Sequence, residues 1–102
     1  MVPLSERTTF VLEKLFPEQD QEMAIWLLSH ECADNLPFHQ DSGPEDLDRV
    51  RLAALKRSAG DLDRLLEAIE LGKTDTRDLL MVAGFGSSVT EHVVWAKRLL
   101  TS

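Results

Sequence analysis

This sequence predicts an all-α protein, a bundle of five to six short helices forming a single domain over residues 1–102, and three observations predict it. Seventeen Leu stand against nine Val and Ile together, with no Tyr, a bias toward helix formers and away from strand residues. Apolar residues recur at three- and four-residue steps, with few alternating runs. Cap residues, Gly and Pro punctuate those runs at short intervals. Surface scaling gives a folded surface of roughly 5,800 Å² with about 65% of the unfolded surface buried, a core that needs neither disulfide nor metal. The expected radius of gyration is about 13 Å.

Ser5 is placed to cap a first helix over 5–16, with Val11, Leu12, Leu15 and Phe16 facing inward, and Pro17 breaks it. Asp20 opens a second helix to about residue 34, its inward face being Met23, Ala24, Leu27 and Leu28. Residues 35–42 lack periodicity and read as an ordered loop. Pro44 followed by Glu45 and Asp46 starts a third helix over 44–59, which buries Leu47, Val50, Ala54 and Leu55 and stops at Gly60. Asp61 caps a fourth over 61–71, with Leu62, Leu65, Leu66 and Ile69 in step, ended by Gly72. Thr74 or Asp75 caps a fifth over 75–83 through Leu79, Leu80 and Ala83, ended by Gly84. Ser88 and Glu91 have the capping-box spacing and open a sixth over 88–100, with Val89, Val93, Ala96, Leu99 and Leu100 inward. His92 falls on that side and is expected to be a hydrogen-bonded core residue.

The net charge of −7 is unevenly spread: residues 1–48 carry −9 and residues 49–102 carry +2. An acidic front half repels a phosphate backbone and suits a basic partner. It also reflects carboxylates gathered at helix N-termini. A single Cys32 forbids an internal disulfide and fits a reducing, cytoplasmic setting. No signal peptide is expected, and no run approaches the roughly 20 apolar residues of a membrane span.

Three groups of residues invite a functional reading. Trp26, Trp95 and Val94 sit beside the main apolar stripes of their helices, and Phe38 sits on the loop; together they are candidates for partner contact. His30, Asp34 and His39 are candidate metal ligands. The string His30-Glu31-Cys32-Ala33-Asp34 resembles the zinc-protease motif HExxH with Asp in place of the second His, which implies a Zn²⁺ gripped across one helical turn. Cys32 is the one candidate nucleophile, with His30 or His39 as its base. The third group is Ser87, Ser88, Thr90, Lys97 and Arg98. Residues 83–89 resemble the Ala-Gly-apolar turn before the recognition helix of bacterial repressors, which implies a helix-turn-helix unit over 61–100 reading DNA.

Neither a nucleophile elbow nor a phosphate-cradling Gly loop is present. The expectation is therefore a small acidic interaction module without catalysis or cofactor. It would act on a protein partner, basic in character, or on a second copy of itself, with no membrane role. The alternatives are the helix-turn-helix regulator, disfavoured by charge, and a metal-dependent enzyme or metal-binding protein around His30, Asp34 and His39. In size and helix count the architecture resembles six-helix death-fold adaptors and small bacterial immunity proteins, without a shared motif.

Overall fold

The computed structural model describes residues 2–33 and 44–102, and over these every regular element is a helix. In chain order they are α1 (Glu6–Leu15), α2 (Glu18–His30), α3 (Pro44–Ser58), α4 (Leu62–Thr74), α5 (Thr76–Val82) and α6 (Glu91–Thr101). The loop over 35–42, with Phe38 and His39, and Asp34 at the expected end of the second helix lie outside the described residues.

Local chemistry sets most of the helix ends. Ser5 Oγ accepts the Thr8 amide, and the Asp61 carboxylate accepts the amides of Asp63 and Arg64. Asp75 does the same for Arg77 and Asp78, so each of these starts satisfies donors that lack an intrahelical partner. Pro44 occupies the first helical position of α3, where its missing N–H costs nothing. At the other end of α5, Gly84 at φ +82° lets the Phe85 amide reach the Leu80 carbonyl (2.8 Å) while its own reaches Met81 (3.0 Å). That is a Schellman closure, and it turns Phe85 into the core.

Four boundaries differ from expectation, the first being the end of α2, which closes at His30 with Glu31 as its C-cap and does not run on to about residue 34. α2 begins at Glu18 and not Asp20, because Pro17 at φ −65° serves as its N-cap residue instead of merely ending α1. α4 runs through Gly72 to Thr74. Gly72 is there for space: a Cβ would stand 3.0 Å from Leu79 Cδ2, so its absence lets α5 lie close against α4. α6 begins at Glu91, and the capping box from Ser88 does not form. Ser87 Oγ donates to the Glu91 carboxylate instead, and Ser88 Oγ accepts the Thr90 amide.

The inward face of α6 is also rotated from the expected one. His92 and Ala96 are buried and Trp95 and Leu99 partly so, while Val89 is 70% exposed and Val93 and Leu100 face outward. Both stripes pass through Ala96, and the aromatic one encloses the greater volume. Met23 and Leu66, expected inside, are likewise exposed, so the buried stripes of α2 and α4 are narrower than the sequence pattern.

α3 is the centre of the bundle. It packs against α1, α4, α5 and α6, and Leu52 and Ala53 are buried together with the expected Leu47, Val50, Ala54 and Leu55. Its unbroken apolar run is in the middle, Leu52 to Leu55, and its exposed positions carry Glu45, Asp46 and Arg57. α2 packs on α1 and α4, and α6 on α1 and α3. One apolar core takes residues from all six helices, within a radius of gyration of 12.1 Å and a surface of 5923 Å², close to the scaling values. No helix among the described residues is long and apolar enough to cross a membrane.

Arg51 of α3 ties the core to the N-terminal strip and the end of α2. Arg51 is 2% exposed and spends its guanidinium on three backbone carbonyls: Cys32 (2.8 Å), Pro3 (2.8 Å) and Val2 (2.7 Å). The Val2 amide in turn donates to the Ser29 carbonyl at 3.0 Å. The N-terminal strip and the end of α2 are thereby clamped to the central helix.

Candidate functional site

The outward face of α2 exposes large apolar side chains beside a shallow cavity. Ala24 and Leu28 point into the core, and Trp26, two residues from each, is turned about 200° away from them. Met23 lies one turn before Trp26, and the two are 52% and 49% exposed. With Gln19 and Glu22 they line a shallow cavity of about 450 Å³. His30 stacks on the Trp26 indole, with ring centroids 4.7 Å apart at 18°, and its Nδ1 lies 3.1 Å from the Trp26 carbonyl. That contact holds the indole in one orientation. Glu18 and Glu22 lie on the N-terminal side of the apolar pair and make no ion pair among the described residues.

Trp95 and Val94 belong to a different face. Trp95 is partly buried against Phe85, centroids 5.9 Å apart, and the Lys56 ammonium sits 5.0 Å over the Phe85 ring. Thr90, Glu91, Val94 and Arg98 complete the lining of a cavity of about 240 Å³ there. Lys56 and Arg98 have no carboxylate partner among the described residues. The structure thus separates Trp26 from the Trp95–Val94 pair, while Phe38 lies outside the described residues. The roles of Lys56 and Phe85 escape sequence reasoning because both come from outside α6. A third cavity of about 420 Å³, between α4, α5 and the end of α3, is lined by both signs of charge, Arg57, Arg64 and Glu67.

No group of three His, Cys, Asp or Glu among the described residues is placed to hold a metal ion. His30 is occupied by Trp26, and Asp34 and His39 lie outside the described residues. Cys32 is fully buried, and burial pushes its thiol up to about 12, so it stays protonated at neutral pH and is a poor nucleophile.

The residues expected to read DNA lie around the start and the second half of α6. Ser87 and Ser88 are engaged as described, and Arg98 belongs to the Trp95 cavity. Arg49 of α3 donates to the carbonyls of Phe85 and Ser88, which pins the connection before α6 to the central helix. The principal contacts of α6 are with α1 and α3, so α4, α5 and α6 do not form a self-contained trihelical unit.

His92 is buried and hydrogen bonded, as its spacing predicts. Its Nε2 lies 2.6 Å from Glu45 Oε1. Arg7 donates to both Glu45 (3.1 Å) and Asp48 (3.0 Å), and Asp48 also accepts from Ser5 (2.6 Å) and from Thr8. This chain of polar contacts joins α1, α3 and α6. The hydrogen bond from His92 holds the Glu45 carboxyl below its ordinary 4.5; burial opposes it, and Arg7 pulls the same way as His92. A carboxyl more acidic folded than unfolded adds stability above that ordinary value and loses it as pH falls through the folded one. Melting of wild type and Glu45→Gln between pH 7 and pH 3 should show a wild-type advantage that shrinks on acidification. A gap constant across that range would contradict the assignment.

Comparison with known protein families, curated proteins and solved structures finds no match to this chain.

Proposed function

We propose that this protein is a small acidic helical interaction module, without catalysis, that recognises a protein partner through the outer face of α2. The observation that carries this reading is the Met23–Trp26 pair, half-exposed on a regular helix beside the carboxylate of Glu22, which makes no ion pair among the described residues. Burying both side chains in a partner recovers free energy that folding leaves unused, at roughly 25 cal/mol per Å² of apolar surface. A tryptophan in the middle of such a contact is the residue type most often found to dominate binding. The acidic setting favours a partner with Lys or Arg around an apolar contact and disfavours nucleic acid. A reducing cytoplasmic setting goes with this reading.

Trp26→Ala tests it. The partner retained by the wild-type chain should be lost, at a cost of about 2 kcal/mol or more in binding, while Met81→Ala, which removes another exposed apolar side chain on α5, should keep it. Both variants should melt near the wild type. Equal retention by Trp26→Ala and wild type would remove α2 as the contact.

A further inference from the structure

We propose that the occupant of the α2 face is a second copy of this chain, whose Lys56–Trp95–Arg98 cavity receives Trp26. This rests on the reading of α2 as the interaction face and names its partner. The two surfaces are complementary in apolar character and, for the most part, in charge. α2 offers an indole and a thioether beside Glu22, which makes no ion pair among the described residues. The α6 side offers Phe85 and Trp95 walls with two cations, Lys56 and Arg98, which have no carboxylate partner among the described residues, and one carboxylate, Glu91.

Size points the same way. At about 240 Å³ the α6 cavity is below the roughly 300 Å³ at which small-molecule sites begin, and it suits one inserted side chain. Insertion would place Trp26 against Trp95 and Phe85, with Glu22 of one copy brought toward Arg98 or Lys56 of the next. The two surfaces cannot meet within one chain, because α2 packs on α1 and α4 while α6 packs on α1 and α3, and both surfaces face outward. The contact joins two different patches and is therefore heterologous. Copies would add head to tail, closing into a ring or continuing as a filament according to the rotation between them. A net charge of −7 opposes association at long range, and physiological salt screens that repulsion beyond about 8 Å, leaving the local pairs to act.

The experiment is sedimentation velocity on wild type, Trp26→Ala and Arg98→Glu, each alone and then the two variants mixed. Wild type should form concentration-dependent larger species. Each variant should stay monomeric, with self-association weakened at least about 30-fold. Their mixture should give a one-to-one pair, because one variant keeps the cavity and the other keeps the indole. Both substitutions are at exposed positions, and circular dichroism confirms that each variant is folded. A wild type that is monomeric throughout, or an Arg98→Glu variant that associates like wild type, would overturn the proposal. If a monomeric wild type still binds a foreign protein that Trp26→Ala does not, self-association fails and the interaction-module reading stands.

Discussion

Replacing Arg51 by Met should cost this fold about 3 kcal/mol or more, a large share of the 5–15 kcal/mol typical of a small domain. Met fills most of the space of the arginine stem, so the loss is one of hydrogen bonds more than of volume. The guanidinium is almost wholly buried and donates to the carbonyls of Val2, Pro3 and Cys32. A bond to a charged donor contributes about 1.5–3 kcal/mol, and three are lost together. Relief of the arginine's own desolvation offsets part of this. Release of the N-terminal strip into water offsets more, since freed carbonyls find solvent. Arg51→Lys should recover little, because an ammonium cannot reproduce a planar fork that reaches three acceptors in different directions. Urea denaturation measures both variants. Stability within about 0.5 kcal/mol of wild type for Arg51→Met would show that the clamp does not hold the N-terminal strip and the end of α2.

Gly60→Ala should be the next most damaging, at about 3 kcal/mol. Gly60 sits at φ +84°, where a side chain costs roughly 1–2 kcal/mol. An added Cβ would also stand 2.4 Å from the Leu15 carbonyl oxygen, and a backbone atom cannot step aside as a flexible side chain can. Ala59 at φ +50° already uses the left-handed region, so the α3–α4 turn has no slack in which to absorb the change. Gly86→Ala is the control, because its φ is not left-handed and the nearest atom is the flexible Met81 Cγ at 3.0 Å. Thermal melting should separate the two clearly. Equal melting points would mean that the turn at Gly60 relaxes freely.

The order of the helices was legible because most boundaries are written in a few adjacent residues. Ser5, Asp61, Asp75, Pro44, Gly60 and Gly84 act through their own backbone neighbours, and a linear pattern records such effects. The register of α6 was not legible. Ala96 belongs to two stripes, and the choice between them rests on Phe85 and Glu45, which arrive from elsewhere in the chain. α3 hid its centrality for a related reason. Asp48 and Arg51 look like a solvated face in sequence, yet their partners are Ser5, Arg7 and Thr8 for one and the carbonyls of Val2, Pro3 and Cys32 for the other.

The surfaces divide along the same line. Trp26 could be singled out because its offset from Ala24 and Leu28 is local. The Trp95 cavity needed Lys56 and Phe85, and no spacing within α6 announces them.

Site-directed photocrosslinking in the native cell probes the α2 surface itself. A photoactivatable residue replaces Met23 in one strain and Met81, the more exposed of the two, on α5 in another. The account predicts a discrete crosslinked species from position 23, of dimer size or larger, that position 81 does not give. The same pattern from both positions, or none from position 23, would contradict it.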